Sequence, residues 1–279
     1  MRIVVETELG SVAVHLSGRT PGTAPGVLLL HANPGDHRDF APILPALGAE
    51  WSVAALDWPG FGDSRVRDPE AVTSPALPGV AARVLAALQD EHGFGPVTVV
   101  GNSVGGYAAI GLAEREPHRL LGAILVQPAG FVPHGPLVRA MSRFMSAEAV
   151  AKRAVVPAAR LYLGPPDRGG VRDALARAGR TAADPVRLAV YRALWRTIAD
   201  PDLDLAARAP LPVSVPVQVV WGRRDPINPW PLNRRGVARA LPRAEVAVLA
   251  TRHEPFCEAP DLFLDTVVPF LRARGEVRR

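Results

Sequence analysis

The stretch Pro96-Val-Thr-Val-Val-Gly-Asn-Ser-Val-Gly-Gly106 decides how the rest of the chain is interpreted. Its first half is a short apolar run rich in β-branched residues, which is typical of a strand buried on both faces. From Val104 onwards the apolar residues follow helical spacing. Ser103 therefore lies at a sharp turn from strand to helix, where Gly101 and Gly105 remove side chains that would collide.

A serine at such a turn is suited to act as a nucleophile. The turn holds the hydroxyl in the open, and the N-terminus of the following helix favours developing negative charge. The alternative is a glycine-rich turn that binds a phosphate. No lysine follows as a P-loop requires, and the pattern G-x-G-x-x-G is not matched. The sequence therefore favours Ser103 as a nucleophile.

Short apolar runs alternate with longer helical patterns on both sides of this turn. This alternation predicts an α/β fold with a doubly wound, mostly parallel sheet. Strands are predicted at 26–31, 51–57, 96–101, 121–127, 215–221 and 245–249, and helices at roughly 79–92, 104–116, 230–241 and 260–273. Two amphipathic runs at about 2–7 and 11–16 predict an antiparallel hairpin at one edge.

The alternation breaks in the middle of the chain, where apolar residues keep helical spacing without a strand signal. An inserted helical segment between two strands predicts a lid over the sheet edge. We expect a first core part at 1–131, a helical lid at 132–205 and a second core part at 206–279. No low-complexity linker separates these parts, so the sequence predicts one folded unit.

Composition limits the classes of protein to which the chain can belong. Hydrophobic residues make up 48% and charged residues 21% of the chain, which is the balance of a soluble globular protein. No run approaches the roughly 18 apolar residues that a membrane span needs, and the N-terminus carries acids where a signal peptide has an apolar run. The single cysteine, Cys257, excludes an internal disulfide. We expect a cytoplasmic monomer or homodimer that is not bound to a membrane.

The net charge of +5 raises the question of nucleic-acid binding. Lys152 is the only lysine, and the arginines are spread along the whole chain. No tract of five or six basic residues and no nucleic-acid-binding motif accompanies the charge. The expected partner is a small-molecule substrate and not a nucleic acid.

A serine nucleophile at such a turn takes its acid and then its base from later in the chain. Only three histidines follow Ser103. His118 lies in a polar helix end, and His134 opens the predicted lid. His253 follows the last predicted strand and precedes the last helix, which places it at the same sheet edge as Ser103. We therefore predict His253 as the base.

The acid should lie on a neighbouring loop, where it orients the imidazole. Asp225 follows the penultimate predicted strand in Trp221-Gly-Arg-Arg-Asp225. The alternative is a turn aspartate that caps the next helix. The competing position after Gln127 reads Pro128-Ala-Gly and has no carboxylate, so Asp225 is favoured.

A further loop, His31-Ala-Asn-Pro-Gly35, follows the strand that ends near Leu30. Acyl transfer places negative charge on the former carbonyl oxygen, which needs two preorganised N–H donors. The backbone N–H groups of Asn33 and Val104 are the predicted oxyanion hole. The alternative is a plain strand-to-helix turn, and we interpret His31 as structural.

With these segments identified, the chain resembles the α/β-hydrolase superfamily from end to end. His31-Ala-Asn-Pro-Gly35 resembles its H-G-x-P-G segment, with Ala32 replacing the usual glycine. Asp57-Trp-Pro-Gly-Phe-Gly-Asp-Ser64 is similar to its D-x-P-G-x-G-x-S turn. Trp221-Gly-Arg-Arg-Asp225 resembles W-G-x-x-D, and His253-Glu-Pro-Phe-Cys-Glu-Ala-Pro260 resembles H-x-P-x-x-E-x-P. The resemblance implies the branch with a serine nucleophile. Epoxide hydrolases and haloalkane dehalogenases of this fold carry an aspartate at the strand-to-helix turn where this chain has Ser103, a turn that we call the elbow.

The predicted function is that of a serine hydrolase without cofactor or metal, cleaving a small or medium carboxylic ester, lactone or thioester. Two alternatives remain open. The form Gly-Asn-Ser-x-Gly-Gly, with Asn102, is similar to that of carbon–carbon bond hydrolases of ring-cleavage products. Those enzymes usually carry an aromatic residue where this chain has Glu254. The other alternative is a non-hydrolytic ligand-binding member of the fold.

Four apolar residues of the predicted lid are expected to shape the substrate pocket, or else to attach the lid to the core: Phe144, Met145, Tyr191 and Trp195. Three arginines of the lid are candidates to hold a carboxylated substrate, or else lie on solvated helix faces: Arg139, Arg143 and Arg160.

Overall fold

One eight-stranded sheet forms the centre of the molecule. The computed structural model describes residues 1–275, so residues 276–279 of the second predicted core part lie outside the described residues. The strands are β1 (Arg2–Thr7), β2 (Gly10–Gly18), β3 (Gly26–Leu30), β4 (Ser52–Leu56), β5 (Val97–Asn102), β6 (Leu120–Val126), β7 (Val217–Gly222) and β8 (Glu245–Leu249). Their order across the sheet is β1-β2-β4-β3-β5-β6-β7-β8.

The first two strands differ from the other six in direction. β1 pairs antiparallel with β2, and β2 pairs antiparallel with β4, whereas all remaining neighbours are parallel. Every residue of β3, β4, β5 and β7 is buried, as expected for parallel strands covered by helices on both faces. The predicted doubly wound, mostly parallel sheet is confirmed.

Helices cover both faces and also form an insertion between β6 and β7. They are α1 (Leu44–Glu50), α2 (Leu77–His92), α3 (Val104–Arg115), α4 (Pro136–Ser146), α5 (Glu148–Leu163), α6 (Val171–Ala183), α7 (Pro185–Arg196), α8 (Trp230–Ala240), α9 (Pro255–Glu258) and α10 (Pro260–Gly275). Within residues 1–275, no helix combines the length and the apolar character that crossing a bilayer requires.

The inserted helices α4–α7 fall within the segment where the sequence predicts a lid. They share buried apolar residues with the sheet layer, so core and insertion form one continuous hydrophobic cluster. Polar contacts also join them. Arg177 of α6 donates from Nε to Asp39 Oδ1 at 2.9 Å, and the backbone N–H of His253 donates to Tyr162 O at 3.1 Å. The insertion therefore packs directly on the loops at the carboxyl ends of the strands.

Candidate active site

Ser103 forms the turn between β5 and α3, with φ of 55° and ψ of −114°. A positive φ is unfavourable for any residue with a Cβ, so the surrounding structure must hold this conformation. A Cβ at Gly101 would overlap the carbonyl oxygen of Gly105, and one at Gly105 would overlap that of Leu30. The two glycines therefore allow the close approach of strand, helix and neighbouring loop on which the turn depends.

Asn102, the residue before the nucleophile candidate, is fully buried. Its Nδ2 donates to Val126 O at 3.0 Å and to His253 O at 3.1 Å. One side chain thus connects the elbow to the end of β6 and to the loop that carries His253. Because those bonds are buried, they restrict how the histidine loop can move relative to Ser103.

His253 and Asp225 form a buried pair, with Nδ1 2.6 Å from Asp225 Oδ2. The other carboxylate oxygen, Oδ1, accepts the backbone N–H groups of Ile227 at 2.9 Å and Asn228 at 3.0 Å. An ionised carboxylate only accepts hydrogen bonds, so the ring proton lies on Nδ1 and Nε2 is left with its lone pair. This tautomer is the one that a general base requires.

Ser103 and His253 line the same cavity. In this conformation no direct hydrogen bond joins the Ser103 hydroxyl to the imidazole within the described part of the chain. Catalytic hydrogen bonds are often loose before substrate binds and shorten in the reacting complex. The two side chains therefore share one cavity without a direct bond between them.

The backbone N–H groups of Asn33 and Val104 belong to residues of the same cavity. Within residues 1–275, neither of these N–H groups donates to a backbone carbonyl. Val104 opens α3, where the first N–H groups have no partner inside the helix. The side chain of Asn33 donates from Nδ2 to Tyr191 O at 3.1 Å, which ties this loop to α7. Two unpaired donors beside Ser103 are what an oxyanion hole needs.

His31 is buried and has partners on both ring nitrogens. Its Nε2 accepts the backbone N–H of Trp58 at 2.9 Å, while Nδ1 lies 2.7 Å from Ala32 O. Burial lowers the pKa of His31, so the ring is neutral with its proton on Nδ1. This arrangement supports the structural interpretation of His31.

The cavity has a volume of about 210 Å³ and lies between the sheet edge, the inserted helices and α8. Its walls are mainly apolar. Among the described residues that line it there is no Asp, Glu, Lys or Arg. Arg139, Arg143 and Arg160 are thus not part of its lining.

Of the four apolar residues predicted to shape the pocket, Trp195 lines the cavity. Met145 and Tyr191 are instead buried in the shared core, and Phe144 is 57% exposed on the outside of α4. The cavity wall from α4 consists of Leu137, Val138 and Met141. Helical spacing shows that α4 is amphipathic, but its rotation about its own axis depends on packing against α7.

Glu254, directly after His253, is fully buried and its Oε2 has no hydrogen-bond partner. Burial, reinforced by the negative charge of Asp39, raises the pKa of Glu254 well above its usual range. The charge of Arg177 opposes this shift in part, but Arg177 is already paired with Asp39. Burial therefore favours the protonated form of this carboxyl.

A second buried aspartate, Asp57, also binds histidines. Its carboxylate accepts His37 Nδ1 at 2.9 Å, His15 Nε2 at 3.2 Å, and the backbone N–H groups of His37 and Asp63, both at 2.8 Å. Burial alone would raise the pKa of Asp57, but the hydrogen bonds from His15 and His37 outweigh burial and hold it far below its usual range.

The donor atoms of His15, His37 and Asp57 lie within 4.8 Å of one another, a spacing that a metal ion could bridge. The two imidazole rings are stacked, however, with centroids 3.4 Å apart and planes 13° from parallel. Both imidazole nitrogens also face the same carboxylate oxygen, with Asp57 Oδ2 3.2 Å from His15 Nε2 and 3.1 Å from His37 Nδ1. The cluster is explained by hydrogen bonding to the carboxylate.

Comparison with known proteins agrees with this architecture. Residues 25–260 match the family model for the alpha/beta hydrolase fold. The pimeloyl-[acyl-carrier protein] methyl ester esterase of Neisseria meningitidis serogroup B is 28% identical over 259 residues, which are 87% of this chain and 91% of that protein.

Solved structures show the same fold with different activities. The esterase RhEst1 from Rhodococcus sp. ECU1013 aligns with a TM-score of 0.77 at 21% identity, covering 99% of both chains. The epoxide hydrolase CorEH aligns with a TM-score of 0.79 at 18% identity, covering 98% of this chain and 99% of that one. The family match spans most of the chain and the sheet order agrees with it, so the chain belongs to the alpha/beta hydrolase fold family.

Proposed function

We propose that this protein is a serine hydrolase that cleaves a small or medium carboxylic ester, lactone or thioester through an acyl-enzyme intermediate. The observation that carries the proposal is the convergence on one cavity of Ser103, the buried His253–Asp225 pair, and the unpaired N–H groups of Asn33 and Val104. Each of these groups has a distinct task in acyl transfer.

In the first step, the Ser103 hydroxyl oxygen attacks the carbonyl carbon and passes its proton to His253 Nε2. Asp225 stabilises the resulting imidazolium through Nδ1. The former carbonyl oxygen becomes negative and accepts the Asn33 and Val104 N–H groups. When the bond to the leaving oxygen or sulfur breaks, His253 returns the proton to the leaving group.

In the second step, a water molecule replaces the leaving group and gives a proton to His253 as it attacks the acyl-serine. The acid is released and Ser103 recovers its proton. No step needs a cofactor or a metal. The inserted helices α4–α7 would serve as the lid that limits access of bulk water to the cavity.

The names of similar proteins favour ester hydrolysis over the other reactions of the fold. The relative from Neisseria meningitidis is an esterase and covers nearly the whole chain. CorEH is named as an epoxide hydrolase, but epoxide hydrolases of this fold carry an aspartate at the position of Ser103. The named esterases support ester hydrolysis as the reaction of this chain.

Covalent labelling with a fluorophosphonate tests the proposal directly. The reagent resembles the tetrahedral intermediate, so one adduct should form on Ser103 and be located by peptide mass spectrometry. Labelling requires the neutral imidazole of His253 as the base that accepts the serine proton.

His253→Ala should abolish labelling, whereas His118→Ala, at a side chain 71% exposed, should label like the wild type. Absence of an adduct on Ser103 in the folded wild type would contradict the proposal. A carbon–carbon hydrolase would label but turn over a vinylogous diketone faster than simple esters, and a ligand-binding protein would do neither.

A further inference from the structure

Large exposed apolar side chains gather at the mouth of the cavity that contains Ser103. Leu137 is 74% exposed, Met141 48%, Ile227 40% and Leu232 57%. All four residues also line the cavity itself. They therefore form a continuous apolar surface from solvent to the nucleophile candidate.

The four residues come from two sides of the opening. Leu137 and Met141 are four residues apart on α4 and so lie on the same face of that helix. Ile227 precedes α8 and Leu232 lies within its first turn. We call the space between these two walls the α4–α8 groove. Contiguous exposed apolar surface of this kind marks a binding site rather than ordinary exposure.

The chemistry of the groove selects its occupant. Among the described residues, no Asp, Glu, Lys or Arg side chain lines the cavity, so an ionised group would lose its hydration and find only His134 and His253 as possible ionic partners. The apolar surface is continuous with the wall around Ser103. An alkyl chain joined to the reacting carbonyl group would follow this surface outwards, and so it fits better than a separate partner.

We propose that the α4–α8 groove binds an alkyl chain of the substrate that extends from the reacting ester towards solvent. This inference rests on the proposed function and narrows its substrate class to esters with a medium alkyl chain, in preference to acetates. The chain can belong to the acyl part or to the alcohol part. Two series of substrates distinguish these possibilities.

The first series is p-nitrophenyl acylates from acetate to dodecanoate, and the second is alkyl butyrates from methyl to dodecyl, all below their micelle concentrations. Along the series that occupies the groove, kcat/KM should rise about two- to fourfold per methylene, since full burial of one methylene gives roughly 0.8 kcal/mol. The other series should show no such rise.

Serine substitutions at the groove provide the variants. Met141→Ser and Leu232→Ser should each lower the decanoate-to-butyrate ratio of kcat/KM about tenfold, or the corresponding ratio in the alcohol series. Leu161→Ser is the matched control, because Leu161 is 56% exposed on α5 and does not line the cavity. The control should keep the wild-type ratio.

Calorimetric binding of n-decanol separates the groove from catalysis. Binding to the wild type that weakens about tenfold in Met141→Ser, but not in Leu161→Ser, supports the groove even if no ester is hydrolysed. In that event only the proposed function fails. Flat selectivity in both series, or equal effects in the control and the groove variants, would overturn the proposal, as would the absence of decanol binding together with the absence of hydrolysis.

Discussion

Two buried aspartates flank the elbow at the same edge of the sheet. Asp57 follows β4 and Asp225 follows β7, and each of these strands lies two places from β5 in the sheet order. Each carboxylate binds a histidine through Nδ1, at 2.9 Å for His37 and 2.6 Å for His253. The two histidine–aspartate pairs therefore resemble each other in their position relative to β5 and in the Nδ1 contact to the carboxylate.

Their remaining partners differ. Asp57 binds a second histidine, His15, whose ring stacks on that of His37, so this carboxylate ties together β2 and two loops. Asp225 binds one histidine only, and His253 reaches the cavity that holds Ser103. Under the proposed function, a histidine–aspartate pair serves catalysis only where the second imidazole nitrogen reaches the cavity of the serine. The Asp57 cluster holds the fold instead.

The largest expected difference is in kcat, between variants of His253 and of its counterpart His37. His253→Ala should lower kcat on a p-nitrophenyl ester by about 10⁶, the scale seen when the base of a triad is removed. His37→Ala, at the counterpart position, should keep kcat within about threefold per folded molecule. Steady-state kinetics on samples of matched folded concentration measures both. Comparable losses in the two variants would show that the Asp57 cluster takes part in the chemistry.

Substitution of the two aspartates should have different effects, on activity for Asp225 and on stability for Asp57. Asp225→Asn should lower kcat by about 10⁴ because the amide favours the wrong imidazole tautomer. Asp57→Asn should instead lower the free energy of unfolding by about 2 to 3 kcal/mol at pH 7, since hydrogen bonds to a buried charge are lost.

The pH dependence of unfolding checks the second of these effects. The pKa of Asp57 is depressed in the folded state, so its contribution is present above the unfolded value of about 4 and is lost as the pH falls further. The difference between wild type and Asp57→Asn in urea unfolding should therefore shrink in acid. A constant difference from pH 7 to pH 3 would argue against an ionised Asp57.

The smallest effect concerns Glu254, a buried carboxyl whose neighbour Arg177 is already paired with Asp39. Its pKa is raised in the folded state, so wild-type stability should fall as the pH rises above the unfolded value of about 4.3. Glu254→Gln removes this titration and should stabilise the protein on the order of 1 kcal/mol at pH 8, a typical scale for one substitution. The two proteins should unfold alike near pH 4. A less stable Glu254→Gln at pH 8 would show that Glu254 is ionised and paired.

The sheet could be predicted from the sequence because its inner strands are buried on both faces and so read as uninterrupted apolar runs. The predicted strand at 245–249 agrees with β8 although most of its residues are not buried, because turn residues bound it on both sides. The short helix α1 was not predicted, since seven residues are too few to show a helical period.

For Ser103, Asp225 and His253 the motifs predicted positions just after strand ends, which the structure confirms, while their catalytic roles stay predictions. The residues that form the cavity walls were harder to predict from the sequence. Phe144 and Met141 belong to the same amphipathic helix, and only packing decides which of them faces the cavity. The hydrogen bond from Asn102 to the His253 loop could not be predicted from the sequence either, because it joins residues that are 151 positions apart.

The positive φ of Ser103 bears on which substitutions would stabilise this chain. This positive φ costs on the order of 1 to 3 kcal/mol for a residue with a Cβ, and glycine at the same position would avoid most of that cost. If Ser103 is the nucleophile of the proposed function, Ser103→Gly would stabilise the protein while removing its turnover. Selection for turnover would then be what keeps the strained serine at this position.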